Sequence, residues 1–387
     1  MSIPLVLKVL HTFNIIQDGT MTYESVVRFI FDEIPPADHN FLTKIDDAMI
    51  SEKFESPAYG SQKNSLCSVI IPTYNREKTL VKALLALHTQ KGITHSDFEL
   101  VVVDDGSSDN TFQMAKVFSE ANPSLSIRLI RLRRNLGVSY ARNVGILNSR
   151  SGLVCFTDDD CIVPGTWLRE FIIDFENHPE ISASGGWHPK ALFKSKRTLF
   201  SYLAGEYSKR SHYPWNITNP YKSDIENVFN KCGNTANICY KKSALFQVGG
   251  FNHYFRYPSS EDWELKIRLH KQRRTLFYNG RLVWHLRPPT LSDFIRGYVV
   301  RGWARFLISK IHTDYDGTFE LSYKHSFPRF LLEISRLMGH YEDLPRLSWR
   351  AKCMLIWIAV LKAAALWVGK YVIPMRIVFQ KFNFRVR

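Results

Sequence analysis

Three consecutive carboxylates, Asp158, Asp159 and Asp160, interrupt an apolar stretch that runs Val154-Cys155-Phe156 before them and Ile162-Val163-Pro164 after them. Like charges this close raise one another's pKa unless a cation lies between them. Hard oxygens at the end of a buried strand are the donors that Mg2+ or Mn2+ takes. A solvated acidic turn would use the same residues, since Asp is common in turns. Two more acid groups bear on the choice. Asp104-Asp105 closes the apolar run Phe98-Glu-Leu-Val-Val-Val103, and Glu261-Asp262 opens a segment with Leu265 and Leu269 on one helical stripe.

The elements that must position these acids are legible in order. Ser68-Val-Ile-Ile-Pro72 reads as a buried parallel strand, and Lys78 to Gln90 as an amphipathic helix. Phe98 to Val103 is a second strand and Thr111 to Glu120 a second helix. Ile127 to Arg131 and Val138 to Asn148 repeat the pair, and Leu153 to Thr157 is the fourth strand. Strand and helix alternating at this spacing predict an α/β fold with a doubly wound sheet. Ligands bind such sheets beyond the carboxyl ends of the strands. Pro72-Thr73, Asp104-Asp105 and Asp158–Asp160 all fall at those ends, which favours a site over an acidic turn.

The chain has 387 residues, 45% apolar and 22% charged, with a net charge of +15. That length and composition support a large globular core, and the charge suits a polyanionic partner or an anionic membrane surface. The six cysteines show no CxxC pair, so they read as reduced thiols of a cytosolic protein with no zinc site. The first residues, MSIPLVLKVLHTF, make a poor signal peptide.

IIPTYNR, VVVDDGSSD, RNLGVSYARNVG and FTDDDCIVP, followed by the Asn234–Phe251 segment and Glu261-Asp262, resemble in order the inverting glycosyltransferases of family 2, over about residues 66–305. The resemblance implies a GT-A fold, a mostly parallel central sheet flanked by helices. It implies a catalytic domain at 66–310, with a nucleotide-binding half at 66–165 and an acceptor half at 166–310. A helical extension and linker at 1–65 precede it, and a helical region at 311–387 follows.

The resemblance also assigns roles. Pro72 and Tyr74 match the loop along the nucleobase, Asp105 the residue that bonds the base, and Arg142 one that reaches toward the base and holds the crevice. Asp158 and Asp160 match the DxD pair, the first on the ribose and the last on the metal, with Asp159 between them as a further donor contact that can point away. Asp262 matches the catalytic base, and His285 a second metal ligand. Arg301, in Arg301-Gly-Trp-Ala-Arg305, matches a basic element closing over the diphosphate. The implied cofactor is Mn2+ or Mg2+. The implied donor is a nucleotide-diphospho-sugar, with a UDP-sugar the first expectation, and the acceptor a glycan or lipid-linked hydroxyl. Such a leaving group gathers charge that a divalent cation neutralises, and an acceptor hydroxyl needs a base on the opposite face of the sugar. A catalytically silent sugar-nucleotide-binding protein on the same scaffold is the rival reading.

Ala351 to Ile373 is the most apolar segment, with Lys362 at its centre and Arg346, Arg350, Lys352, Arg376, Lys381, Arg385 and Arg387 around it. A central lysine suits an interfacial helix on an anionic leaflet, or a buried helix, better than a span. Basic residues beside apolar runs, with no aromatic-basic platform, point away from nucleic acid. The expected location is the cytoplasmic face of the membrane.

Overall fold

The computed structural model describes residues 40–61, 65–187, 221–223, 233–257, 260–286 and 290–313, with 357, 360–362 and 364–369 near the C-terminus. Residues 1–39 of the expected extension, 188–220, 314–356 of the expected C-terminal helical region and most of 351–373 lie outside the described residues. The chain divides into two compact units. One comprises Asp38–Lys194 with His212–Arg287 and contains every acid discussed above.

That unit is built on a nine-stranded sheet ordered β1-β4-β3-β2-β5-β9-β7-β10-β8. Its strands are β1 (Ile50–Glu55), β2 (Cys67–Thr73), β3 (Phe98–Asp104), β4 (Ile127–Leu132), β5 (Leu153–Phe156), β7 (Ala183–Trp187), β8 (Tyr221–Ser223), β9 (Ile238–Lys241) and β10 (Leu276–Leu282). β4, β3, β2 and β5 run parallel, while β1 and β9 join them antiparallel. A separate two-stranded ribbon pairs β6 (Cys161–Ile162) with β11 (Trp284–His285).

Alternate residues of the parallel strands face opposite layers. Val69, Ile71, Leu100 and Val102 join a core with α2 (Leu80–His88), α3 (Thr111–Ala121) and α5 (Trp167–Asn177). Ile70, Val101 and Val103 join another with α4 (Val138–Asn148), α6 (Lys242–Gln247) and α7 (Glu261–Lys271). The central strands β2 and β3 are buried along their whole length, which is why they read as unbroken apolar runs rather than alternating ones. The α/β architecture with a mostly parallel sheet between two helical layers is the one expected.

Two differences concern boundaries. Within the expected extension and linker at 1–65, β1 pairs with β4 across Ile50↔Leu132 to Glu55↔Arg128, and α1 (Pro57–Ser61) buries Tyr59 completely. The Tyr59 ring lies between the guanidinium groups of Arg128 (4.4 Å) and Arg150 (3.7 Å). The polar composition of β1 concealed it, because an edge strand has only one neighbour and a half-solvated face. At the other end, α8 (Leu291–Ile311) belongs to the second unit rather than to the sheet domain.

In that second unit, Arg301 of α8 packs its guanidinium 5.0 Å from the Tyr298 ring centroid. Lys362, expected in either an interfacial or a buried helix, is buried with its Nζ 5.6 Å from the same ring. Among the described residues, no helix is long and apolar enough to cross a membrane.

Candidate active site

The loops after β2 and β3 form one wall. Asn75 stands at φ 54, its amide donating to Ser107 Oγ (2.9 Å) and its Oδ1 accepting from the Ser108 amide (2.9 Å). The Arg76 amide donates to Thr111 Oγ1 (2.7 Å). Gly106 sits at φ 75, and a Cβ there would lie 2.6 Å from the Arg134 carbonyl carbon. Only glycine fits such a position, which explains the DDG order of the motif. Pro72 is buried within β2, and Tyr74 is partly exposed at its end.

The two aspartates after β3 are both tied down. Asp104 Oδ1 accepts from the Ser107 amide (2.9 Å) and from the Ser107 hydroxyl, and its Oδ2 lies 3.5 Å from Arg131. Asp105 accepts from the amides of Leu136 (2.7 Å) and Gly137 (2.9 Å), the residues leading into α4. Burial pushes the Asp105 carboxyl up to about 7 against those two amide bonds. Asp105 therefore fixes where α4 begins. Gly137, at φ 96, would put a Cβ 2.7 Å from Arg256 Cα, so the helix entry and the 251–256 segment touch backbone to backbone.

The triplet spreads its three carboxylates in three directions. Asp158 Oδ1 accepts from Arg142 Nη2 at 3.2 Å. Asp159 turns to Arg76, Oδ1 to Nε 3.4 Å, and burial raises its carboxyl to about 7, with Asp160 adding to the shift and Arg76 opposing it. Asp160 faces the ribbon, Oδ1 to His285 Nδ1 3.2 Å, while its carbonyl accepts from the Leu286 amide (2.7 Å). Desolvation raises the Asp158 carboxyl, and Arg142 and His285 pull it back. β6 pairs Cys161 with His285, leaving the thiol 3.7 Å from both ring nitrogens.

Ligand atoms of Asp158, Cys161 and His285 lie within 4.8 Å of one another. The sequence reading missed Cys161 as a donor, because its pairing partner lies 124 residues away and no CxxC spacing marks it. The buried thiols Cys67, Cys155 and Cys239 are free, as expected of reduced cysteines.

The last acids arrive on α7. Ser260, at φ 68, turns the chain into the helix. Glu261 is 3% exposed and accepts from Arg142 Nη1 at 2.6 Å. Burial raises its carboxyl, and Arg142 opposes the shift. Asp262 is half-buried beside it, its Oδ1 accepting from the Trp263 amide at 2.8 Å. One guanidinium thus touches both the end of β5 and the start of α7, bringing Asp158, Glu261 and Asp262 to one place. Asn143, next to Arg142, holds Phe251 by both backbone groups: Oδ1 accepts from its amide (2.8 Å) and Nδ2 donates to its carbonyl (2.8 Å). Asn143 did not stand out as a site residue in the sequence, although it lies inside a quoted motif, and of the Glu261-Asp262 pair only Asp262 was given a role. Arg301 belongs to the other unit.

Comparison with known proteins gives this arrangement its relatives. A chondroitin synthase of Escherichia coli is 25% identical over 246 residues, covering 57% of this chain and 35% of that protein. An uncharacterized glycosyltransferase of Bacillus subtilis (strain 168), YfnE, is 23% identical over 240 residues, covering 53% and 60%. This chain thus spans between about a third and three-fifths of the length of these curated relatives. Among solved structures, the mannosyltransferase PcManGT from Pyrobaculum calidifontis in complex with GDP-Man and Mn2+ is 12% identical at a TM-score of 0.48, covering 95% of this chain and 98% of that one. The profile of Glycosyl transferase family 2 matches residues 68–248. Residues 68–248 of this chain are thus similar to Glycosyl transferase family 2.

Proposed function

We propose that this protein transfers a sugar from a nucleotide-diphospho-sugar to an acceptor hydroxyl, inverting the anomeric carbon in a single displacement. The observation that carries the reading is the double ion pair of Arg142 with Asp158 and Glu261, which sets Asp262 beside the strand-end acids. Asp262 takes the proton from the acceptor hydroxyl. That oxygen bonds to the anomeric carbon as the bond to the β-phosphate oxygen breaks, and a nucleoside diphosphate leaves.

Asp160 and His285, with Asp158 and Cys161 close by, would hold a divalent cation on the diphosphate. Bound there, the ion would neutralise charge developing on the leaving group. A donor set that mixes imidazole with carboxylate suits Mn2+ better than Mg2+, which favours oxygen alone. Pro72, Tyr74 and Asp105 border the side where a nucleobase would lie, and a UDP-sugar is the proposed donor. A glycan or lipid-linked acceptor at the cytoplasmic membrane face completes the reading, supported by the stretch 346–387, which carries nine Lys or Arg and no Asp or Glu.

The test is a screen of UDP-, GDP- and dTDP-sugars with Mn2+, reading nucleoside diphosphate release and, by NMR, the anomeric configuration of the product. Release from at least one donor, with inversion, is expected. No release from any donor, with or without acceptor and metal, would leave only a silent binding module. Salt-dependent binding to anionic vesicles that persists after deletion of 346–387 would contradict the assignment of membrane binding to that stretch.

A further inference from the structure

We propose that Arg142 is a positioning residue that sets the catalytic carboxylate of α7 against the diphosphate end of β5, and that it makes no contact with the nucleobase. The inference rests on the glycosyl-transfer reading above. Arg142 is 1% exposed, and each terminal nitrogen of its fork is already held by a different carboxylate, Glu261 at 2.6 Å and Asp158 at 3.2 Å. Its guanidinium also lies 5.5 Å from the Phe251 ring centroid. To reach a base, the side chain would have to abandon Glu261, leaving that carboxylate buried without its counter-charge. Breaking a buried pair from one side is among the costliest single changes in a protein.

The rest of α4 works on the same target. The Val138 amide donates to the Arg256 carbonyl (3.0 Å), the Ser139 hydroxyl to the Phe255 carbonyl (2.6 Å), and Asn143 clamps Phe251. Positions 138, 139, 142 and 143 share one helical face, and all four grip either the 251–256 segment or the start of α7 that follows it. The helix itself is registered on the nucleotide side, because Asp105 holds the amides of Leu136 and Gly137. A continuous chain of contacts therefore runs from Asp105 through α4 and Arg142 to Glu261 and Asp262. Two atoms of the buried pair, Arg142 Nε and Glu261 Oε2, have no hydrogen-bond partner among the described residues. The pair is thus held by the single 2.6 Å bond and its Coulombic attraction, and a small change in the fork is transmitted to α7.

A base contact and a positioning residue fail differently. Misplacing a reacting group by about 1 Å costs on the order of 100-fold in turnover, whereas losing a base contact weakens nucleotide binding. Arg142→Lys keeps the charge but cannot fork onto both acids. Glu261→Gln keeps Arg142 and its reach toward a base while removing the charge that holds it, and it serves if the lysine variant fails to fold.

The expected result for both is a fall in kcat of about 100-fold. Donor KM, and the calorimetric Kd of UDP or GDP with Mn2+, should stay within threefold of wild type. Hydrogen exchange of residues 251–264 should be faster in both variants. Weakening of nucleotide Kd beyond tenfold in either variant, or kcat within threefold of wild type in both, would overturn the proposal. If the wild-type protein turns over no nucleotide sugar, the glycosyl-transfer reading fails on its own. The positional link is then read by exchange alone, and unchanged protection of 251–264 in both variants would refute it.

Discussion

Asn143→Ala removes the only side chain seen to satisfy both backbone groups of Phe251 among the described residues. Asn143 is fully buried, as is Phe251. Its Oδ1 accepts from the Phe251 amide, while its Nδ2 donates to the Phe251 carbonyl (2.8 Å each) and approaches His253 Nε2 (2.7 Å). Alanine leaves the amide and the carbonyl without partners, at about 1–3 kcal/mol for each buried group, so about 2–6 kcal/mol together. The better helix propensity of alanine returns only about 0.7 kcal/mol. Urea denaturation followed by tryptophan fluorescence should show a lowered midpoint with an unchanged slope. Asn143→Asp is the sharper control: it keeps an acceptor for the amide but sets a second carboxylate oxygen against the Phe251 carbonyl, and should be at least as destabilising. A loss under about 1 kcal/mol for the alanine variant, or wild-type stability for the aspartate, would show that the clamp does not hold this segment.

Asp262→Asn preserves the acceptor for the Trp263 amide, so its melting should match wild type, while turnover falls by about 100- to 10,000-fold; full turnover with normal donor binding would remove Asp262 as the base. Stability should depend on pH through Asp105. Its folded pKa of about 7 exceeds the ordinary carboxylate value, so folding takes up a proton; the stabilisation is complete below about pH 4 and is lost as pH rises toward about 7, at up to about 1.4 kcal/mol per unit. Asp105→Asn should flatten that slope in a pH series of urea titrations, and an unchanged slope would assign it to other groups. Chelation with EDTA should stop turnover and Mn2+ should restore it. Asp160→Asn or His285→Ala should raise the Mn2+ requirement about tenfold or more. Cys161→Ser should reduce inhibition by Cd2+, read independently as loss of the Cd2+–thiolate absorbance.

Local pattern was enough for the four parallel strands β2 to β5 and the helices between them. β2, β3 and α2 to α4 were legible because a strand buried on both faces leaves an apolar run and a packed helix leaves a stripe, and α4 falls at Val138–Asn148 in both readings. The ordered motifs fixed which strand ends carry acids. The edge strand β1 was not legible, since a half-solvated strand has a polar sequence, and the assignment of α8 to the second unit depends on contacts that no spacing records. At the site, the sequence determined that Asp105, Asp158–Asp160 and Glu261-Asp262 are present. Only the tertiary structure decided how they are used. Arg142 joins acids 16 and 119 residues away, Asp159 turns to Arg76, and β6 pairs with β11 to bring Cys161 to His285. Those pairings are set by packing between distant segments. A buried charge takes whichever counter-charge the fold brings within reach, and residue type alone does not say which that will be.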